Sequence, residues 1–251
     1  MSEPAFWALI LGGLGTIVGS FSAALVLRWP EGRSVMTGRS ACDGCGRTLR
    51  AHELVPLLSA AIQRGRCRSC GARIDPWHWR IEVAAVLVGA GAGLIAPGPE
   101  AVAGAVFGWL LLVLAALDWR AFWLPDRLTA LLALGGIAGA AAGLGPVPED
   151  RLIGGVLGFG LLWTIATGYR LIRRRDGMGG GDPKLFGAIG LWLGWRPLPA
   201  VLVVAALIGL GIVLVRHLSG KAVARDDALP LGTLMALAAY PAWLMMIGMA
   251  A

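Results

Sequence analysis

Charge is what this chain has least of. Asp, Glu, Lys and Arg make up 15% of its 251 residues, against 57% hydrophobic residues and a mean hydropathy of +0.72. Soluble globular proteins carry about 25% charged residues, so there is too little polar surface here to cover a water-exposed fold. An ordinary cytosolic enzyme and a disordered chain are both excluded. Cysteine is scarce as well: four residues in all, far below the density of a secreted disulfide scaffold. A basic region ahead of the first apolar run is missing; Glu3 stands there instead. That run is also too long for the h-region of a secretory signal, about 7–15 residues, so it is read as a first membrane helix. Long repeats and low-complexity tails are absent. What remains is a polytopic membrane protein.

Charge-free runs cover 4–27, 83–99, 101–117, 128–148, 152–169, 197–215 and 228–251. Most reach the roughly 17–25 residues that a helix needs to cross a bilayer. A shorter run, 185–195, is expected to cross only by recruiting flanking residues such as Gly179 to Pro183, or to form a re-entrant element. Counting it gives about eight transmembrane helices. Of the 22 Lys and Arg, all but Arg151 and Arg196 then fall on alternate breaks, at 28–82, 118–127, 170–184 and 216–227. The positive-inside bias puts the N-terminus outside and the basic breaks in the cytoplasm. The sequence therefore predicts an all-α polytopic membrane protein. Residues 1–27 form the first transmembrane helix, 28–82 a small cytoplasmic four-cysteine domain, and 83–251 the membrane core. The 38 glycines are read mainly as close-packing positions between membrane helices.

Every cysteine lies in the first basic break, as Cys42-Asp-Gly-Cys45 and Cys67-Arg-Ser-Cys70, each pair followed by glycine. Two CxxC knuckles at this separation suit tetrahedral thiolate coordination of Zn²⁺. A unit this small cannot bury enough core to fold alone, so a structural metal ion makes physical sense. Two disulfides, four free thiols or an Fe–S centre are the other readings, and a reducing cytoplasm disfavours the first. The excess of Lys and Arg here is read as positive-inside charge facing anionic lipid headgroups, with no nucleic-acid partner.

Few acids lie at the membrane boundaries. Asp118 follows the apolar run Leu110–Leu117, and Asp182 lies within Gly177-Met178-Gly179-Gly180-Gly181-Asp182-Pro183-Lys184. The topology puts both on one face of the membrane. Two adjacent carboxylates can share a proton, one activating water while the other protonates a leaving group. That is peptide-bond hydrolysis by a carboxylate dyad. The plainer reading has Asp118 capping its helix or pairing with Arg120, and Asp182 capping the next helix with Pro183 in its first turn. Asp126 and Asp176 are competing acids, and Asp126 reads well as a helix-start residue.

At these residues the chain resembles the type IV prepilin peptidases, members of the GxGD class of membrane aspartic proteases. Gly179-Gly180-Gly181-Asp182-Pro183-Lys184-Leu185 is similar to the family's GxGDxKL segment. Leu117-Asp118 through Leu124-Pro125-Asp126 is similar to its first aspartate motif, and Leu229-Pro230-Leu231-Gly232 to a late Pro–Gly element. The double CxxC loop, with Val55-Pro56-Leu57-Leu58-Ser59 and Arg64-Gly65-Arg66-Cys67, resembles its N-terminal cytoplasmic domain. Gly19-Ser20-Phe21 and Arg28-Trp29-Pro30 fit its entry. The resemblance implies that Asp118 and Asp182 are the catalytic pair, with Gly179, Gly180, Gly181 and Lys184 forming the active-site loop. It implies cleavage after a leader glycine of prepilins or pseudopilins, at the cytoplasmic face of the bacterial inner membrane. It further implies N-methylation of the new N-terminus by S-adenosylmethionine. The chain departs from the family pattern at Ala23 and Leu54, where Asn is usual, and at Trp77-His78-Trp79, where an Arg-Tyr-Pro run is usual; Glu53 and Glu82 match. Two other classes stand beside this reading: a proton-coupled transporter, which calls for acids deep within several spans, and a zinc-ribbon membrane adaptor with dispensable aspartates.

Overall fold

The computed structural model describes residues 2–220 and 228–249. Lys221 and Arg225, counted in the basic break 216–227, lie outside the described residues, as do Ala250 and Ala251 at the end of the last run. The α-helices among the described residues are α1 (Glu3–Arg28), α2 (Leu58–Ile62), α3 (Trp77–Ile95), α4 (Pro99–Ala121), α5 (Asp126–Ala141), α6 (Pro148–Arg173), α7 (Asp182–Leu193), α8 (Leu198–Leu218) and α9 (Leu231–Gly248). Helices α1, α3, α4, α6, α8 and α9 are each long and apolar enough to cross a membrane. This is a multi-pass, all-helical chain, as the charge-free runs predict.

Two of the expected spans fall short of a full crossing. The run 128–148 does not stay helical: α5 ends at Ala141, and Gly143 and Gly145 turn the chain at φ +71°. Its 16 residues reach about 24 Å at 1.5 Å per residue, less than the roughly 30 Å hydrocarbon core. Helix α7 has 12 residues and recruits Asp182, Pro183 and Lys184 ahead of the run that begins at Leu185.

The chain divides into two compact units, Met1–Val113 and Leu114–Ala251. In the first, α1 and α3 pack antiparallel along glycine and alanine faces. A methyl group on Gly15 would collide with the Ala85 backbone, and one on Gly89 with the Leu11 carbonyl. Without a hydrophobic drive between helices in lipid, such close backbone contact is what holds a helix pair together. The Trp109 indole N–H donates to the Ala85 carbonyl at 2.8 Å, satisfying the ring's one polar atom. Between α1 and α3 the chain forms the cysteine-bearing insert.

In the second unit, α7 is apolar on nearly every side and is buried accordingly, as a helix without a polar face must be. Helices α5, α6 and α9 pack around it. Trp192 of α7 donates to the Leu132 carbonyl at 2.7 Å. Gly190 of α7 meets Gly154 of α6 backbone to backbone. The buried Arg151 guanidinium binds carbonyls alone: Gly136 at 2.9 Å, Leu191 at 3.1 Å, Pro146 at 2.9 Å, and Leu144. It thereby satisfies Leu191 in the last turn of α7, whose carbonyl has no partner within its own helix, and the carbonyls of the turn that follows α5.

The Gly154–Gly190 contact leaves no room for a side chain. Gly190→Leu is expected to destabilise the protein by about 1–3 kcal/mol or more, measured by thermal unfolding in detergent. Gly160→Ala, on α6 but with open space around it, is expected to stay within about 0.5 kcal/mol of the parent.

Candidate active site and metal centre

Asp118 lies in the last turn of α4, behind Leu114 and Leu117, both fully buried. Its own exposure is 5%. Its Oδ2 accepts the Thr233 backbone N–H at 2.7 Å and lies 3.2 Å from the Thr233 hydroxyl, which also reaches the Ala115 carbonyl at 2.8 Å.

Asp182 is the first residue of α7, with Gly181 in the capping position. Its exposure is also 5%. Oδ2 accepts the Gly179 N–H at 3.0 Å, while the Asp182 N–H donates to the Gly179 carbonyl at 3.2 Å. The carboxylate thus folds back over the glycine run instead of reaching forward into its own helix.

The two acids come from distant parts of the sequence to one place. Asp182 feels the charge of Asp118, and the Gly232 backbone N–H acts on both carboxylates. Gly232 and Thr233 stand at the start of α9, where N–H groups have no partner within the helix and the macrodipole is positive. A side chain on Gly232 would lie 3.0 Å from Asp118 Oδ2 and 2.9 Å from Leu124 Cδ1, so the approach depends on glycine.

The sequence singles out the Pro230–Gly232 element but misses Thr233. The available signal is a Pro-Leu-Gly-Thr run opening a charge-free helix. Of the competing acids, Asp126 pairs with Lys184 at 2.7 Å and Asp176 with Arg170 at 2.7 Å, both in exposed positions. Lys184 thus ties the start of α7 to the start of α5. Gly180 has open space around it, and Gly181 packs within 2.7 Å of Leu124 Cβ, measured from where its own Cβ would be.

The four cysteines converge. Cys42, Cys45, Cys67 and Cys70 have all their sulfurs within 4.8 Å of one another, and Cys42 and Cys70 are 3.8 Å apart. No disulfide joins any two of them, so the disulfide reading is set aside. Each knuckle is the same short loop. Cys42 N–H donates to Arg47 O and Gly46 N–H to Cys42 O, while Cys67 N–H donates to Ala72 O and Gly71 N–H to Cys67 O. Gly46 and Gly71 take φ +68° and +70°, a left-handed conformation that favours glycine. Backbone N–H groups of Cys70 and Ser69 pull the Cys67 thiol down to about 6, toward the thiolate that binds metal. The Arg47 guanidinium lies against Cys67 and grips the buried Glu53 carboxylate through two bonds of 2.7 and 3.1 Å. That grip, with the Arg50 N–H, holds the Glu53 carboxyl down at about 2. Four sulfurs in this arrangement can hold a metal ion.

The fold and site define a multi-pass helical membrane protein with a buried acid pair against a helix N-terminus and a four-cysteine insert after its first helix. Residues 105–214 match the type IV leader peptidase family, and residues 14–94 match the bacterial peptidase A24 N-terminal domain. The chain is 38% identical over 209 residues to a prepilin leader peptidase/N-methyltransferase of Burkholderia pseudomallei (strain 1026b), covering 82% of this chain and 67% of that protein. It is 35% identical over 220 residues to the protein of that name from Aeromonas hydrophila, covering 84% and 73%. For the Dickeya chrysanthemi protein the identity is 35% over 235 residues, covering 82% of each. No solved structure matches it. The chain belongs to the type IV leader peptidase family.

Thr233 is the residue on which Asp118 leans. Thr233→Val keeps the side-chain shape but removes the single hydroxyl donor shared between the Ala115 carbonyl and Asp118 Oδ2. It is expected to cost about 1–2 kcal/mol, read as a lower unfolding midpoint in detergent.

Proposed function

We propose that the chain cleaves the leader peptides of type IV prepilins or pseudopilins, using Asp118 and Asp182 as a carboxylate dyad. One observation carries this reading: two acids, each 5% exposed, lie within charge range of one another beneath the same Gly232 N–H. One carboxylate, ionised, takes a proton from the attacking water. The other, protonated, hydrogen-bonds the scissile carbonyl and then passes a proton to the leaving amine. Thr233 and Gly232 orient the pair through backbone N–H groups. Among the loop residues, Gly179 fixes Asp182, and the open space at Gly180 leaves room for an extended peptide backbone. Lys184 holds the entrance of α7 through Asp126.

In this reading the protein lies in the bacterial inner membrane, with the dyad and the cysteine insert facing the cytoplasm. The alternating charge of the breaks supports that orientation. Anionic headgroups are the partners of the basic loops, and no nucleic-acid partner is required. The family's bifunctional names support N-methylation of the new N-terminus, with S-adenosylmethionine supplying the methyl group.

Zinc is the metal proposed for Cys42, Cys45, Cys67 and Cys70. Four thiolates with Zn–S bonds of about 2.3 Å place sulfurs about 3.8 Å apart, the separation seen between Cys42 and Cys70. Zinc there would stabilise the insert's fold.

Asp118→Asn and Asp182→Asn are each expected to lower prepilin cleavage by roughly 10²–10⁴-fold or more while the protein still inserts, measured with a co-expressed prepilin. Normal processing by either variant would overturn the dyad and favour an adaptor or transporter. For the metal, elemental analysis of purified protein is expected to find about one zinc per chain, with Cys42→Ser losing most of it. Full metal content in a variant with all four cysteines replaced by serine would refute the assignment.

A further inference from the structure

Two groups at the cysteine cluster complement each other. The first is the sulfur of Cys67. It belongs to a residue 7% exposed, whereas Cys45 and Cys70 are open to solvent and Cys42 partly so. Water can hydrate the exposed sulfurs, but Cys67 depends on donors from the protein. The second is the Nε–H of Arg47. Both terminal nitrogens of that guanidinium are committed to Glu53, in bonds of 2.7 and 3.1 Å. Nε lies on another edge of the plane, buried and with no hydrogen-bond partner. An unpaired buried donor is costly.

The backbone sets Arg47 to serve both knuckles. Its carbonyl accepts the Cys42 N–H at 2.9 Å, closing the first loop, and its guanidinium lies against Cys67 of the second. A neutral thiol is a weak acceptor. A metal-bound thiolate is a far better one, because four of them on a divalent ion leave a net charge of about −2.

We propose that Arg47 is a positioning residue of the metal centre, donating its Nε–H to the metal-bound sulfur of Cys67 while its other two nitrogens hold Glu53. This rests on the reading that the four cysteines bind zinc. Metal ligands are commonly oriented by such outer partners. The link continues past Glu53, which also accepts the Arg50 N–H at 2.9 Å, so the turn Ala51–Glu53 is tied to the metal through one side chain.

The test compares two variants of the full chain in detergent. Glu53→Gln breaks the ion pair and leaves Nε in place. Arg47→Met combined with Glu53→Gln removes Nε as well, without stranding a buried charge. Zinc affinity is read by chelator competition, and the sulfur-to-cobalt charge-transfer band is read on cobalt-loaded protein. Glu53→Gln is expected to keep the parent's band. The double variant is expected to bind zinc about 10–100-fold more weakly than Glu53→Gln, with the band moved to lower energy, as loss of an N–H donor to sulfur requires. Equal affinity and equal bands in the two variants would overturn the assignment, as would Glu53→Gln alone giving the whole effect. Should the double variant bind no cobalt, Arg47→Lys, which keeps a cation beside Glu53 on a single nitrogen, decides: its band is expected at lower energy, and a band at the parent's energy would overturn the assignment. If the parent protein takes up neither zinc nor cobalt, the metal reading falls, and the assignment with it. A loaded parent with loaded, unshifted variants removes only the assignment.

Discussion

A carboxylate taken out of water needs hydrogen-bond donors, and in a membrane unit few are free. Most backbone N–H groups are already committed within helices. The start of a helix is the exception, since its first N–H groups have no partner in their own ladder. Helix α9 offers Gly232 and Thr233 in that position, in the first turn after Pro230. Asp118 accepts from Thr233, and Gly232 serves both acids. The second unit can be read as the means of bringing the end of α4 and the start of α7 to this point. Gly232 lacks a side chain because one would press on Asp118 and Leu124.

The shortness of α7 belongs to the same constraint. A helix of 12 residues packed among longer ones leaves unpaired backbone groups at either terminus, and both ends need partners. At the first end, Asp182 turns back to the Gly179 N–H. At the other, Arg151 reaches across from α6 to the Leu191 carbonyl and, on α5, to Gly136. An arginine suits this place because its several fixed donors can serve several carbonyls at once. Backbone contact at Gly154 and Gly190 fixes how closely α6 can approach. The insert of the first unit meets the opposite problem. It has little apolar core, so its order comes from paired turns, the Arg47–Glu53 grip and the convergence of four sulfurs.

The chemistry-bearing residues were legible in the sequence because each carries a local mark. Asp118 interrupts an apolar run at its end, Asp182 follows three glycines, and the cysteines repeat a fixed spacing. Membrane helices were legible from missing charge. Partners were not. Nothing in the periodicity joins Asp118 to Thr233, because the hydrogen bond links residues far apart in the chain and one of its atoms is backbone. The length of α5 was misjudged for a different reason. Hydropathy continues through Ala142–Leu144, but helix geometry does not, since the turn at Gly143 and Gly145 depends on φ rather than on polarity.

Arg151 and Arg196 show what a count of charges leaves out. Both break the alternation that otherwise divides the basic residues among the loops. Arg151 is 4% exposed and bound to carbonyls, so its charge faces neither lipid headgroups nor water. Arg196 lies 3.6 Å from Asp150 and stacks near Trp195. Arg196 keeps a largely exposed side chain beside that carboxylate, so only Arg151 is withdrawn from the surface. The positive-inside bias counts Lys and Arg rather than net charge, so pairing with Asp150 does not take Arg196 out of the count, whereas Arg151 is held inside the helix packing. Burial, which no sequence window records, accounts for Arg151; Arg196 stays a single exposed exception to the alternation.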